Sequence, residues 1–351
     1  MRKTTLKGLA FGVVAVFGLA ACGSDSTSTD TTAPVTDTTE VTTPTGLACQ
    51  VTDTGGVDDK GFNQIAYEGL LQAETELGVA TDLLESTTEA DYAPNLQSFI
   101  DKGCNVIITV GFLLADATKA AAEANPDVAF AIVDSNTSAA NVEGLTFATD
   151  QPSFMAGYLA ASISKSGIVA TFGGINIPPV SIFMQGFAKG VEYFNAQKGA
   201  SVKVLGWDVA KQDGTFAGNF TNLDDGKNIA KSFADEGADV IFPVAGPVGL
   251  GASAFAMESG GTVKIIGVDV DMSVSNPDQA EVYVGSVLKK MDAAVLAAIA
   301  SALAGEGGGT DYLGTLANGG VSMAITSTIT PELQAELDAI QAGIIDGSIT
   351  W

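Results

Sequence analysis

The sequence predicts an α/β protein built from two Rossmann-like lobes. Segments with strand and helix patterns alternate in two consecutive series between residues 47 and 270. The strand-like segments 105–110 and 128–133 are largely apolar, as expected for parallel strands covered by helices on both faces. Repeated strand–helix units of this kind form parallel sheets, which bind small ligands at the carboxyl ends of their strands.

The first series contains four predicted strands and three predicted helices. Apolar residues in segment 61–77 recur at helical spacing, at Phe62, Ala66, Leu70, Ala73 and Leu77. The strands are predicted at 47–53, 80–86, 105–110 and 128–133, and the helices at 61–77, 90–102 and 114–125.

The second series begins after Phe147, at a helix start marked by Gln151 and Pro152. The helix predicted after strand 167–172 has an aromatic stripe on one face, at Phe183, Phe187 and Phe194. Strands are predicted at 167–172, 202–207, 239–245 and 263–270, and helices around 183–194 and at 225–236 and 249–259. The remainder contains strand 282–288, helix 289–304, a strand pair around 312–326 and a closing helix from Pro331.

The amino terminus has the pattern of a secretion signal. Basic residues precede an apolar run from Leu9 to Ala21, which is too short to span a bilayer comfortably. The run ends in Leu-Ala-Ala-Cys-Gly, which resembles the lipobox of bacterial lipoproteins and implies lipid on Cys22; the alternative is a plain signal peptide. We therefore expect a signal peptide at 1–21 and a disordered tether at 22–46, holding an extracytoplasmic domain at the cell membrane.

Composition limits the classes of function. The formal net charge of −25 argues against nucleic acid or an anionic lipid surface as a partner. The absence of histidine from the whole sequence excludes Ser-His-Asp and Cys-His catalysis and histidine metal sites. No nucleophile elbow and no phosphate-binding loop motif occurs, and adjacent carboxylates such as Asp58 and Asp59 suit helix capping better than acid–base chemistry. We expect no enzyme activity, no cofactor and no metal.

Two strand–helix series in one exported chain are typical of the type I periplasmic-binding-protein fold, whose two lobes are joined by a three-segment hinge. We place the chain crossings near 148–155, 270–282 and 308–322. The amino-terminal lobe is then 47–150 plus about 275–315, and the carboxy-terminal lobe 151–274 plus about 316–351.

Two cysteines remain besides Cys22. Cys49 lies near the start of the first strand, and Cys104 immediately precedes the third. The first and third strands of a doubly wound sheet are neighbours, so a Cys49–Cys104 disulfide is expected at the sheet end opposite the ligand site. Without a Cys-x-x-Cys motif, its role is structural.

The segment from residue 51 to residue 69 carries the strongest functional signal. A strand enters a Gly-Gly turn rich in carboxylates, and a helix then opens with Phe62 and Asn63 in its first turn. A flat aromatic ring and an amide at the end of a strand suit a ligand with a ring and a polar edge. The alternative is an ordinary strand–turn–helix with capping aspartates.

Residues 53–64 resemble the opening motif of the basic membrane protein family, the purine-nucleoside-receptor type of ABC-transporter lipoprotein. Further matching segments occur in order, at 130–135, 155–161, 185–187, 237–242, 245–251, 266–271, 286–289 and 316–321. The resemblance implies an extracytoplasmic substrate-binding lipoprotein that captures a purine nucleoside and delivers it to an ABC permease and ATPase.

The resemblance also implies roles for single residues. Phe62 corresponds to one stacking aromatic, and Phe220, or alternatively Trp207, to a second one in the other lobe. For the base edge it implies Asn63 and Asp134, with Asp53 assisting; for the ribose it implies Asp271 and Lys289, with Gly246 permitting close backbone approach. Each of these residues has a structural alternative, as core aromatic, cap or solvated lysine.

Two other functions remain open at this stage. One is a protein that binds a monosaccharide or another small ligand on the same fold. The other is a surface sensor or adhesin without a transport role.

Overall fold

Strands β1 to β14 and helices α1 to α10 make up the framework of the chain. The computed structural model describes residues 45–136, 139–308 and 310–351. The predicted signal peptide, Cys22 and most of the predicted tether lie outside these residues. Within the described part of the chain, no helix is long and apolar enough to cross a membrane.

The strands fall at or near the predicted positions. They are β1 (Leu47–Thr52), β2 (Ala80–Leu84), β3 (Val106–Val110), β4 (Ala129–Val133), β5 (Val142–Phe147), β6 (Ile168–Gly173), β7 (Lys203–Leu205), β8 (Trp207–Asp208), β9 (Asp213–Gly214), β10 (Val240–Val244), β11 (Lys264–Asp269), β12 (Tyr283–Lys289), β13 (Tyr312–Gly314) and β14 (Val321–Ile325). Strands β5 and β9 are additions to the sequence prediction.

The helices follow the strands in alternation. They are α1 (Phe62–Leu77), α2 (Tyr92–Lys102), α3 (Ala115–Ala124), α4 (Asp150–Ile163), α5 (Pro178–Lys198), α6 (Leu223–Asp235), α7 (Pro247–Glu258), α8 (Met272–Ser275), α9 (Met291–Leu303) and α10 (Pro331–Asp346). Short 3₁₀ turns precede α2 and α3 and link α8 to β12.

The described strands form two six-stranded sheets and one small hairpin. The first sheet has the order β13-β5-β4-β3-β1-β2 and is parallel throughout. The second has the order β14-β12-β11-β10-β6-β7, with only the edge strand β14 antiparallel. Strands β8 and β9 pair with each other. The α/β class with two doubly wound lobes is therefore confirmed.

Helices cover both faces of each sheet, which explains the apolar strands. Buried residues of α1 and α9 pack on one face of the first sheet, and those of α2 and α3 on the other. Neighbouring residues Ala48 and Cys49 of β1 accordingly lie in opposite core layers. In the second sheet, α4 and α5 cover one face and α6 and α7 the other.

Two expectations about the last part of the chain are wrong. The strand pair expected around 312–326 does not form, because β13 extends the first sheet and β14 the second. The second crossing does not lie within 270–282, because β12 pairs with β11 and so still belongs to the second sheet. The chain crosses between the sheets after β5, after β12 and between β13 and β14. By sheet membership, the first lobe is 47–147 plus 291–314, and the second is 150–289 plus 321–351.

A disulfide joins the two cysteines that the sequence analysis pairs. Cys49 lies within β1 and Cys104 just before β3, with their Cα atoms 6.1 Å apart. Both residues are buried against α2. The bond lies toward the amino-terminal ends of the two neighbouring strands, away from the strand ends that carry the polar residues described below.

Glycines bring two helix pairs of the second lobe into backbone contact. A Cβ atom on Gly157 of α4 or on Gly190 of α5 would lie 1.9 Å from a carbonyl oxygen of the facing helix. On α6 and α7, a Cβ atom on Gly226 or Gly251 would lie 1.8 Å from a carbonyl oxygen of the partner. No side chain fits at these four positions without moving a helix, so they fix the spacing of both pairs.

The substitution Gly251→Ala tests this close approach. We expect it to lower the free energy of unfolding by about 1–3 kcal/mol, because the added methyl group must push α6 and α7 apart. The matched control is Gly249→Ala in the same helix, where the nearest atoms lie at 3.6 Å. Because alanine favours helix over glycine, that control is expected to be neutral or stabilising by up to about 1 kcal/mol. Urea unfolding of both variants provides the measurement, and equal effects would contradict the argument.

Candidate ligand site between the two lobes

The strand ends of both sheets meet at one pocket. From the first lobe, Asp53 follows β1 and Asp134 follows β4; from the second, Asp269 ends β11 and Lys289 ends β12. Gly246, which precedes α7, lies in the wall, and its φ of 51° is a conformation that glycine adopts readily. Carboxyl ends of parallel strands are where open α/β sheets bind ligands.

The turn after β1 and the first turn of α1 form part of the pocket wall. The Asp59 carboxylate accepts the backbone N–H groups of Gly61, Asn63 and Gln64 at 2.9, 2.8 and 3.1 Å. It thereby satisfies donors that the first turn of α1 leaves unpaired. Capping is thus the role of Asp59, and it fixes Phe62 and Asn63 in the wall of the pocket.

Asp53 and Asn63 form a buried pair. Asn63 Nδ2 donates to Asp53 Oδ1 at 3.0 Å. Asn63 is 2% exposed and Asp53 is 7% exposed. Burial raises the pKa of the Asp53 carboxyl to about 8, and the nearby Asp59 and Asp134 add to the shift while Asn63 opposes it. A Cβ atom at Gly111 would lie 2.3 Å from Asp53 Oδ2, so only glycine fits beside this carboxyl.

Lys289 places a buried ammonium group among aromatic rings. Its side chain is 2% exposed, and Nζ lies 2.5 Å from Asp134 Oδ2. Nζ also lies 4.7 Å from the ring centre of Phe62, 5.3 Å from that of Phe147 and 5.9 Å from that of Phe183. The negative faces of aromatic rings attract a cation at such distances. The ammonium is therefore compensated by a carboxylate and by rings from both lobes.

Two aspartates at corresponding strand ends share an unusual backbone conformation. Both Asp134 and Asp269 have φ near 67°, which is uncommon outside glycine and costs energy that the surrounding structure must supply. Burial raises the pKa of Asp134, opposed by Lys289. It raises the pKa of Asp269 to about 6, again opposed by Lys289. Both carboxyls face the pocket.

The two candidates for the second aromatic occupy different places. Phe220 lines the pocket from the second lobe. Trp207 is 7% exposed in the core of that lobe, and its Nε1 donates to Gln185 Oε1 on α5 at 2.9 Å. The β8–β9 hairpin directs the indole onto α5, so the structure does not bring Trp207 to the site. Of the two alternatives, only Phe220 borders the same pocket as Phe62.

The expectation for Asp271 is also corrected. Its carboxylate caps the short helix α8, accepting from the Ser273 N–H at 3.0 Å and from the Ser273 hydroxyl at 2.6 Å. Strand β11 ends at Asp269, two residues earlier, and Asp269 rather than Asp271 lines the pocket. The sequence places acidic residues at both positions, and only the end of the strand distinguishes them.

Sequence reasoning missed part of the apolar wall. Phe183 lines the pocket and lies under the Lys289 ammonium, although the sequence indicated only a core stripe of α5. Ile177, Pro179 and Val180 at the start of α5 line the pocket as well. The sequence feature that indicates their position is the pair Pro178-Pro179, which starts α5 directly after the turn that follows β6. Among the described residues, no group of three or more acidic or cysteine side chains is placed to hold a metal ion.

Comparisons with known proteins agree with this architecture. Residues 47–350 match the family described as Bmp, ABC transporter substrate-binding protein PnrA-like. A protein of Lactococcus lactis subsp. cremoris, named ABC transporter nucleoside-binding protein BmpA, is 32% identical over 369 residues, covering 100% of this chain and 99% of the relative. Basic membrane protein A1 of Borrelia garinii subsp. bavariensis is 33% identical over 228 residues, a match that spans 64% of each protein.

Solved structures share the fold. A solute-binding protein of an ABC transporter system from Aeropyrum pernix has a TM-score of 0.74 at 24% identity, covering 87% of this chain and 92% of its own. One from Conexibacter woesei has a TM-score of 0.66 at 20% identity, covering 87% and 98%. These similarities confirm the type I periplasmic-binding-protein fold.

From its opening motif to its last helix, the chain belongs to the Bmp family of PnrA-like ABC transporter substrate-binding proteins.

Proposed function

We propose that the protein captures a purine nucleoside between its lobes and delivers it, outside the cytoplasm, to an ABC importer. The observation that carries this proposal is that Phe62 and Phe220, from opposite lobes, border one pocket whose polar side chains are mainly carboxylates. A purine nucleoside offers the matching parts: a flat base, a polar base edge and a sugar with two adjacent hydroxyl groups.

The aromatic residues suit the base. Stacking of a base on an aromatic side chain contributes about 1–3 kcal/mol per ring. Because Phe62 and Phe220 belong to different lobes, a base held between them would make both contacts only when the cleft is closed. Binding and closure would then be coupled, as transport requires.

The polar residues suit the rest of the ligand. The Asp269 carboxylate is a strong acceptor for ribose hydroxyl groups, and Lys289 is a donor for sugar oxygens. Asp53, Asn63 and Asp134 remain for the base edge, and Gly246 leaves room for the sugar beside the backbone. The name of the Lactococcus lactis relative, a nucleoside-binding protein, supports the same class of ligand.

Contacts at the cleft mouth support a closing motion. Lys60, in the turn before α1, donates from Nζ to Asn276 Oδ1 of the second lobe at 3.2 Å. The Ser275 hydroxyl donates to the Lys60 carbonyl oxygen. These bonds join the lobes outside the pocket and would stabilise the closed form around any ligand.

Anchoring is part of the proposal. The lipobox-like sequence before Cys22 would place lipid on that thiol after signal cleavage. Residues 22–46 would then act as a tether between the membrane and the binding domain, within reach of the permease and ATPase.

Calorimetric titration tests the ligand. Lipid-free protein comprising residues 47–351, unfolded and refolded to remove carried-over ligand, is titrated with inosine, guanosine, adenosine, cytidine and ribose. We expect purine nucleosides to bind tightly, ribose to give no signal and Phe62→Ala to weaken binding by at least about tenfold through loss of one stacking face. Binding of monosaccharides instead would favour a sugar-binding protein. Binding of nucleosides without any uptake defect on deletion would favour a sensor.

A second prediction concerns the sugar. Asp269→Asn is expected to weaken nucleoside binding by about 10- to 100-fold, since it removes a charge-assisted acceptor from a buried site. Asp271→Asn is the matched control, because its carboxylate caps α8 and does not line the pocket. The same titrations measure both. A larger loss with Asp271→Asn would restore the residue that the sequence alone favoured.

A third prediction follows from the buried carboxyls. The pKa of Asp53 in the folded protein, about 8, and that of Asp269, about 6, lie above the ordinary value of 3.8 for an aspartate carboxyl. Above about pH 4 the folded protein therefore holds protons that the unfolded chain releases. The contribution of these two carboxyls to the free energy of unfolding is fully present below about pH 4, and it is lost as the pH rises through 6 for Asp269 and through 8 for Asp53. Each such proton contributes up to about 1.4 kcal/mol per pH unit.

Urea unfolding of the ligand-free protein between pH 5 and pH 8.5 measures this slope. Asp53→Asn is expected to flatten it, whereas Asp271→Asn is expected to leave it in place. An unchanged slope in Asp53→Asn would show that this carboxyl is ionised across the range.

A further inference from the structure

A second chamber opens from the ligand pocket. It has a volume of about 520 Å³, and it shares three wall residues with the pocket, Thr54, Leu113 and Phe220. Its other walls include the loop that follows β2 in the first lobe and the loop that precedes α6 in the second. The space between the lobes therefore continues beyond Phe220.

The order of the strands gives the direction of this chamber. In the first sheet it lies beside β2, the edge strand farthest from the crossings, because the wall residue Glu85 directly follows that strand. In the second sheet the ring of Phe220 covers Gly174, just after β6, where an added Cβ atom would lie 2.2 Å from the ring. The residues proposed for the ribose, Asp269 and Lys289, end the strands β11 and β12 beside the crossings. The chamber thus lies at the base end of the proposed nucleoside and away from its sugar.

The two ends of the cleft also differ in burial. At the inner end, Lys289 is 2% exposed and Asp269 is 7% exposed. In the chamber, the side chains of Glu85, Thr87 and Thr221 are exposed. A group added to the sugar would have to displace packed side chains, which is costly. A group added to the base would extend into open space.

The chamber wall is polar and has one sign of charge. Its side chains include the carboxylates of Glu85 and Glu89 with several hydroxyl groups, and no lysine or arginine lines it in the described part of the chain. Glu85 Oε2 accepts the backbone N–H of Val57 at 2.9 Å, which holds this carboxylate at the wall. Such a wall favours polar and positively charged groups over negatively charged ones.

We propose that the site takes purine nucleosides whose base carries a substituent, and that the chamber holds this substituent, with a preference for positive over negative charge. The inference rests on the proposed nucleoside function and extends its range of substrates. Thr54 directly follows Asp53, so the opening lies beside the base edge, where a substituent on the exocyclic nitrogen of adenosine would emerge. A chain of five non-hydrogen atoms needs roughly 150 Å³, at about 30 Å³ for each water-sized group. The chamber is larger than that.

Calorimetric titration of the full-length protein in detergent tests the placement. The ligands are adenosine, N⁶-pentyladenosine, N⁶-aminobutyladenosine and 5′-O-pentyladenosine, which carries the pentyl chain on the sugar instead of the base. We expect both N⁶ compounds to bind within about tenfold of adenosine. The 5′ compound is expected to bind at least about 100-fold more weakly, because its chain would have to enter the packed inner end.

A bulky side chain in the chamber provides a second test. Thr87→Trp is expected to weaken N⁶-pentyladenosine by at least about tenfold and to leave the Kd of adenosine unchanged, because Thr87 lines the chamber and not the inner pocket. Ala90→Trp is the matched control. Ala90 is exposed nearby and lines neither space, so this variant should bind both ligands as the wild-type protein does.

A third comparison measures the charge preference. We expect N⁶-aminobutyladenosine to bind about 3- to 10-fold more tightly than N⁶-carboxypropyladenosine at low salt, a modest ratio because the carboxylates are exposed. The double variant Glu85→Gln, Glu89→Gln should bring this ratio toward one without changing the Kd of adenosine, since neither residue lines the inner pocket. High salt should act in the same direction.

The outcomes are separable. Loss of binding by more than about 100-fold for both N⁶ compounds, with adenosine still bound, would overturn the inference and leave the nucleoside function intact. It would also be overturned if 5′-O-pentyladenosine bound as well as N⁶-pentyladenosine, or if Thr87→Trp left the latter unaffected. Equal binding of the amine and the carboxylate would overturn the charge preference. Failure of adenosine and every other nucleoside to bind would instead overturn the proposed function, and the inference with it.

Discussion

The burial of one ammonium group governs the arrangement of the cleft. Lys289 is the last residue of β12, where the chain leaves the second sheet, and its side chain is 2% exposed. A buried charge without a partner costs several kcal/mol. Its partner Asp134 belongs to the first lobe, and the rings around it come from Phe62 and Phe147 of the first lobe and Phe183 of the second. The closed cleft therefore supplies what this charge needs, and opening it requires water or ligand oxygens to take over.

The crossings limit how the lobes can move. The N–H of Ala148 donates to the Gly314 carbonyl at 2.8 Å, and that of Lys290 donates to Gly320 at 2.9 Å. The crossing segments are thus tied to one another by backbone hydrogen bonds. One apolar core also runs from the first sheet to α4 and α10 beside them. Such a connection permits bending about the crossings and opposes sliding, which suits hinge closure around a ligand.

Much of the fold could be predicted from the sequence, because parallel strands covered on both faces leave continuous apolar runs. The exceptions have physical causes. Strand β5 contains Glu143 and Gly144, and on one of its two sides its partner is the short, three-residue strand β13. Its sequence therefore lacks the continuous apolar run of a central strand. The crossing after β12 is hard to locate from the sequence, because α8 and one 3₁₀ turn connect β11 to β12 and neither has the length of a crossover helix.

The site was predictable where one segment carries its own geometry. Phe62 and Asn63 follow a capped turn that the local sequence specifies, and both line the pocket. Asp269 could not be separated from Asp271, because strand ends are uncertain by about two residues at the sequence level. The choice between Phe220 and Trp207 depended on the direction of a hairpin, which aromatic content does not encode.

The balance of donors and acceptors in the pocket has a consequence for ligand charge. Asp53, Asp134 and Asp269 face one ammonium, and that ammonium is bonded to Asp134. A neutral ligand with hydroxyl and N–H donors relieves this excess of acceptors. A phosphate group would instead meet the Asp269 carboxylate, whose pKa of about 6 leaves it ionised at neutral pH, in a buried site where like charges repel far more strongly than in bulk solvent. In the proposed nucleoside site, the same carboxylates would therefore select against phosphorylated nucleosides, without any side chain placed specifically to exclude them.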